Sequence, residues 1–347
     1  MLGQIIKIIR LLGLARAGRM KRHHELGLKY IRGYAATACW WTLLNSGFFE
    51  ELKANHDHIY LPKYLEKHPE LDRGVLGAIL EYLDGIGLLR RKGEAYFLTA
   101  DGRALLEEPR GLFELGWAYE PCFRELPEML LGRKKYGKDL SRRITFVGLG
   151  SGRLCEQLPY PIMRQMVLAR GCKMVLDLGC GDMAFLAGLC RMNAQIRCLG
   201  IDFDAEMIAY DQQRLQAENF GGRLTSLRAD MFTLPELPPD LPPVDAITAC
   251  DTFHEYLGAP GRIVNLLKGL RQRFPQAVFV IGEFCRQDPA WLRRHPTASL
   301  EHHLFHELSN QQIGAAADWR KLFAEAGLRI EEEQVFDMIG HGYFALK

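Results

Sequence analysis

Hydrophobic positions follow two different rules along the chain. Before residue 106 they recur mainly at helical spacing. Ile31, Ala35, Ala38, Trp41, Leu44 and Phe48 form one such series, and Gly47 marks its stop. A second helical run, 74–83, breaks at Gly85 to Gly87. Leu88–Arg91 and Ala95–Leu98 then read as two strands around a turn at Lys92-Gly93-Glu94, and Thr99 caps a further helix through Leu105. From 171 onward, apolar runs at 173–178, 196–201, 224–229, 244–249 and 277–282 alternate with helical stretches. That alternation predicts a parallel sheet flanked by helices. Between the two, Pro109, Pro121 and Pro127 are expected to bound short helices around Trp117 and Phe123.

The predicted organisation is a mainly helical, winged-helix-like domain over 1–106, a helical connector over 107–150, and an α/β domain over 151–347. Helices followed by a hairpin often bind DNA, but the helix 73–83 offers only Arg73 as a cation beside Glu81 and Asp84. The whole chain of 347 residues balances 44 Lys and Arg against 42 Asp and Glu, which gives no global attraction to nucleic acid. A dimerisation module is therefore expected there. The first residues, Ile5 to Leu14 interrupted by Lys7 and Arg10, are followed by Arg16, Arg19, Lys21 and Arg22. This run is too short for a transmembrane segment, which takes ~20 residues. It reads as a first helix that packs on the body or on a second subunit, the alternative being a basic helix on a membrane surface.

Hydrophobic residues at 48% and charged residues at 25% exclude an intrinsically disordered chain. None of the nine cysteines forms a C-x-x-C pair, so a zinc knuckle or thioredoxin-type site is not expected, and their odd count in a long chain points to reduced thiols in a cytoplasmic protein.

The first strand of the second region runs into Asp177-Leu178-Gly179-Cys180-Gly181, and a helix follows from Ala184 to Cys190. The two glycines let the backbone turn tightly and approach a ligand. The helix beyond offers free N–H groups and a positive dipole end. Phe185 stands near where a dinucleotide fingerprint would want a third glycine, and Asp177 suits a cationic ligand portion better than a pyrophosphate. Asp202 ends the second strand, where an acid can take both hydroxyls of a ribose; Asp204 is its fallback. Asp230 and Met231 follow the third strand, an acceptor for an adenine amine and an apolar face for its ring.

Together these residues resemble the class I S-adenosylmethionine-dependent methyltransferases over about 171–347. The resemblance implies a Rossmann-like α/β fold with S-adenosyl-L-methionine at Asp177, Gly179, Gly181, Asp202, Asp230 and Met231. Met183 departs from the small residue this family often has there. The N-terminal helices and hairpin widen the resemblance, to about 26–347, to small-molecule methyltransferases whose winged-helix domain dimerises and covers the site. It implies a small-molecule substrate and a homodimer.

His254 and Glu255 follow the fourth strand, at the sheet end where ligands sit. A neutral imidazole is a competent base near pH 7. In Glu301-His302-His303-Leu304-Phe305-His306, the spacing puts His302 and His306 on one helix face, with His303 a neighbour of His306. Two histidines and a carboxylate can form a facial triad for iron or a similar metal. The arrangement is similar to metal-dependent C-methyltransferases of 2-oxo acids such as phenylpyruvate and 5-guanidino-2-oxopentanoate. That resemblance implies iron or another transition metal on His254, Glu255 and His306, with His302 the alternative ligand and otherwise the acceptor of a C3 proton. His303 is expected to face away. Arg124 and Arg143 are candidates for a substrate carboxylate, and Trp117, Tyr119 and Phe123 for pocket walls. The competing readings are a metal-free O-methyltransferase with His254 as general base, and a winged-helix regulator that senses a ligand.

Overall fold

The chain divides into two units, Met1–Pro109 and Arg110–Lys347, in a computed structural model that describes residues 2–233, 241, 243–295 and 297–347. The first unit holds α1 (Leu2–Leu12), α2 (Leu14–Asn45), α3 (Phe48–Ala54), β1 (His58–Tyr60), α4 (Leu61–Lys67), α5 (Arg73–Gly85), β2 (Leu89–Lys92), β3 (Ala95–Leu98) and α6 (Ala100–Leu105). Its strands form an antiparallel sheet in the order β1-β3-β2. Asp72 and Thr99 cap α5 and α6 by accepting from the Val75 and Gly102 N–H groups. The helix expected to reach Phe48 ends at Asn45 and restarts at Phe48, because Gly47 turns the chain at φ +76°. Its apolar face also starts later than expected. Trp40 and Leu43 are buried, whereas Ile31 is 67% exposed.

The second unit contains α7 (Arg110–Arg124), α8 (Leu126–Leu130), α9 (Ile144–Gln157), α10 (Pro159–Ala169), β4 (Met174–Leu178), α11 (Ala184–Met192), β5 (Arg197–Asp202), α12 (Ala205–Ala217), β6 (Leu224–Arg228) and β7 (Ala246–Cys250). After a 3₁₀ turn, Phe253–Tyr256, come α13 (Pro260–Arg273), β8 (Val278–Phe284), α14 (Pro289–Arg294), α15 (Ser299–Leu308), α16 (Ala316–Glu325), β9 (Ile330–Phe336) and β10 (His341–Leu346). Seven strands make one sheet, β6-β5-β4-β7-β8-β10-β9. It is parallel as far as β8, and β10 runs antiparallel to both its neighbours. Alternate residues face alternate layers. Leu176, Ile247, Ile281 and Phe344 pack with Ile263, Leu267 and Trp319. Val175, Ala246, Val280 and Tyr343 pack with Met163, Val167 and Leu186.

Of residues 107–150, expected as a connector, 110–150 lie in the same unit as the sheet. Helices α7 and α9 cross closely enough that a Cβ on Gly111 would lie 2.6 Å from the Gly150 carbonyl oxygen. Pro121 does not bound a helix, contrary to expectation: α7 runs through it to Arg124. Proline has no N–H for the carbonyl four residues back. That carbonyl, Trp117 O, accepts instead from Arg143 Nη1 at 2.6 Å. Among the described residues, no helix is long and apolar enough to cross a membrane.

Candidate active site

The carboxyl ends of β4 to β7 border one cavity, lined by Gly179, Gly181, Asp202, Asp230, Met231 and Thr252 among others. Gly179 has φ +69°, and a Cβ on it would lie 2.8 Å from the Thr252 side chain. Met183, the departure noted above, is buried at φ +56° as the N-cap of α11. Asp202 accepts from the Gly181 N–H at 3.1 Å and the Asp204 N–H at 3.0 Å, so its carboxylate is fixed against the glycine loop. Asp204 itself caps α12 through the Met207 N–H. Asp230 is exposed and accepts from the Phe232 N–H, while Met231 is buried beside it.

Asp177 lies behind the loop and not in the cavity wall. Its carboxyl accepts from Thr248 Oγ1 at 2.5 Å. Burial, opposed by that hydrogen bond, raises its pKa to about 7.

A second cavity adjoins the first and shares Arg142, Asp251 and Glu255 with it. The 3₁₀ turn brings His254 to its wall, and α15 brings His302 and His306. His254 Nδ1 bonds Glu283 Oε2 at 2.9 Å; Glu283 is fully buried and also accepts from the Thr252 and Phe253 N–H groups. A carbonyl oxygen can only accept, so His306 Nδ1 carries the hydrogen it donates to His302 O. The two remaining nitrogens, His254 Nε2 and His306 Nε2, are 3.0 Å apart. Burial pushes His306 down to about 2 and His302 to about 4. For His254 burial acts the same way, but the Glu283 carboxylate outweighs it and raises the pKa. His302 Nε2 is buried with no partner, and His303 lines neither cavity.

Glu255 turns to Arg142 Nη2 and forms an ion pair. Arg142 is 7% exposed and also donates to Tyr119 Oη at 3.0 Å and Gln311 Oε1 at 2.8 Å. The neighbouring arginines lie elsewhere. Arg143 stacks on the Trp117 ring at 3.9 Å, and the exposed Arg124 pairs with Glu120. Tyr119 stacks on Phe305 at 4.8 Å, with Phe123 edge-on to the same ring. Sequence spacing gave no sign of Arg142, Glu283 or Gln311, since each acts through partners distant in the chain.

Among the described residues, one group of three brings potential metal-binding atoms within 4.8 Å: Cys155, Cys250 and Asp251. Both Asp251 oxygens there already accept hydrogen bonds, from His341 Nε2 at 2.6 Å and from Cys155 Sγ at 3.2 Å.

A parallel sheet, a glycine turn and an acid at the next strand end suit a nucleoside-bearing cofactor. Residues 175–272 match the family model of a methyltransferase domain. The chain is also 29% identical over 321 residues to 2-ketoarginine methyltransferase of Streptomyces arginensis, covering 89% of this chain and 90% of that relative. The chain is an S-adenosylmethionine-dependent methyltransferase. The enzyme shares its fold with human N-acetylserotonin methyltransferase in complex with S-adenosylmethionine (TM-score 0.70, 15% identity, 94% of this chain and 97% of that one). It likewise matches mitomycin 7-O-methyltransferase (TM-score 0.65, 14% identity, 95% and 99%). The class I methyltransferase fold with a helical N-terminal domain expected from the sequence is thus the fold found.

Proposed function

We propose that the enzyme moves the methyl group of S-adenosylmethionine to C3 of a 2-oxo acid. The observation that carries this reading is the convergence of His254 Nε2 and His306 Nε2 at 3.0 Å beside the buried Arg142. The 2-ketoarginine methyltransferase relative supports the same substrate class. Asp202 would take the ribose hydroxyls, Asp230 the adenine amine and Met231 its ring, with Gly179 and Gly181 leaving room for the methionine part. Asp177 would support the loop from behind.

The site's donors fit a transition metal. Both Nδ1 hydrogens are committed to acceptors, which leaves two nitrogens aimed at one point, and imidazole is a good ligand for iron, zinc, copper or nickel. His254 and His306 would hold it; the Glu255 carboxylate, paired with Arg142, would have to leave that ion pair to join them as third ligand. Bound there, it would supply Lewis-acid stabilisation of the charge that develops on the ketone oxygen when C3 loses a proton. Arg142 would bind the substrate carboxylate in place of Glu255. His302 would take the C3 proton: with its pKa near 4 it is neutral at pH 7, and its Nε2 has no other partner. Phe305 and Tyr119 would keep water from the reacting carbon.

Incubation with S-adenosylmethionine and a panel of 2-oxo acids tests this. A new methyl doublet coupled to the C3 proton in the product's NMR spectrum is the expected result. An O-methyl singlet would overturn it.

One observation favours a second reading, O-methylation. His254 and the buried Glu283 form the imidazole–carboxylate pair of a general base. For the first unit, the exposed Leu11, Leu14, Ile31 and Tyr34 support a homodimer interface. Sedimentation at micromolar concentration would show a dimer, and a monomer there would remove that reading.

A further inference from the structure

A third cavity, of about 300 Å³, reaches from the acceptor site to the turn before β10. It meets the acceptor cavity at Leu115, Ser151, Asp251, Phe284 and His302. Its volume is at the small end for metabolite sites, which run from roughly 300 Å³ upward. Much of its wall is apolar, from Leu112, Leu154, Leu158, Pro159, Met338 and Ile339.

Against that apolar lining stand three buried polar atoms with no partner: Thr297 Oγ1, His302 Nε2 and His341 Nδ1. Buried polar atoms are nearly always paired; with His302 assigned to the C3 proton, Thr297 Oγ1 and His341 Nδ1 mark where a polar group of a ligand belongs. Both can accept a hydrogen bond. His341 gives its Nε2 hydrogen to Asp251, so a ring with a single hydrogen has its lone pair at Nδ1. Asp251 borders all three cavities, and its two hydrogen bonds leave about two of a carboxylate's four acceptor positions open. It is held at φ +52°, a left-handed conformation that a non-glycine residue keeps only where its surroundings fix it.

We infer that this cavity holds the side chain of the 2-oxo acid and that Asp251 reads a guanidinium at its end, with His341 Nδ1 and Thr297 Oγ1 as further acceptors. A guanidinium has five donors and no acceptor, which matches this set. The methylenes that carry it lie along the aliphatic wall. An aryl side chain would fill the same wall but leave the carboxylate and both acceptors without partners.

This inference rests on the 2-oxo acid reading, and substrates of matched shape separate the two. The kcat/KM for 5-guanidino-2-oxopentanoate is compared with that for 5-ureido-2-oxopentanoate, which has nearly the same shape and no charge, and with that for phenylpyruvate. The expected preference for the guanidino acid is at least ~100-fold, as for sites built around hydrogen bonds that a competitor cannot make. Asp251→Asn brings the ratio to within about tenfold of unity. The ratio is internal to each variant, so a general loss of rate does not affect it. Thr297, outside the cofactor cavity, gives the second test: Thr297→Val lowers the ratio several-fold and Thr297→Ser restores it. If the ureido acid or phenylpyruvate serves as well as the guanidino acid, the inference falls while the 2-oxo acid reading stands. If no 2-oxo acid is methylated, the underlying reading falls.

Discussion

His254 and His306 face each other through Nε2 atoms 3.0 Å apart, and each ring has already committed its Nδ1, to Glu283 and to the carbonyl of His302. If neither Nε2 carries a hydrogen, two lone pairs at that distance repel, and the proposed metal would relieve that repulsion. Enzyme purified without a nickel column is expected to carry about one equivalent of a first-row transition metal by mass spectrometry. His306→Ala should lose it. Metal-free wild type would mean that a shared proton, not a metal, relieves the repulsion.

Arg142 is a buried cation lining the same cavity as this pair, and its guanidinium is held by Glu255, Tyr119 and Gln311. Charge-assisted hydrogen bonds contribute about 1.5–3 kcal/mol, or roughly 10–100-fold in affinity. Arg142→Met should raise KM for the 2-oxo acid by that factor at saturating S-adenosylmethionine, while Arg143→Met leaves KM nearly unchanged. Equal effects from both variants would contradict the assignment.

The Asp177 carboxyl titrates at about 7 in the folded protein against an ordinary 3.8, chiefly through burial. Between those pH values the folded state keeps a proton that the unfolded chain has released. Stability therefore falls as pH rises through the window and stays lower above it. In urea unfolding at pH 5 and pH 7.5, Asp177→Asn should gain on wild type by on the order of 2–3 kcal/mol over the interval. A pH-independent difference would contradict this. Asp211, shifted the same way, is present in both proteins and cancels.

The bond from Arg143 to the Trp117 carbonyl compensates for the hydrogen that Pro121 lacks. Arg143→Met should cost about 1–2 kcal/mol of stability, since it leaves that carbonyl without its donor. In a Pro121→Ala background the restored N–H takes the carbonyl, and the same substitution should cost measurably less. A double-mutant cycle by urea unfolding reads the difference; additive effects would argue against the pairing.

The proposed cofactor half of the site was legible because it is local. Asp177 to Gly181 form one strand–turn–helix junction, and Asp202 and Met231 follow at the next strand ends. Even there, burial alone separates Asp177, behind the loop, from Asp202, in the cavity wall. The proposed acceptor half depends on residues brought together across the chain. Arg142 meets Glu255 and Gln311 from more than a hundred positions away, so spacing could not distinguish it from Arg124 or Arg143. The last two strands escaped for a different reason. Every residue of β10 is buried, and His341-Gly342-Tyr343 shows none of the alternation by which a half-exposed strand is recognised.

The most direct test of C3 chemistry omits the methyl donor. The enzyme is incubated in D₂O with a 2-oxo acid and S-adenosylhomocysteine, and loss of the C3 proton signal is followed by NMR. The account predicts exchange well above the buffer rate for wild type and at the buffer rate for His306→Ala. A wild-type enzyme that methylates an acceptor yet leaves C3 unexchanged would contradict it, and would favour His254 as the base of an O-methyltransferase.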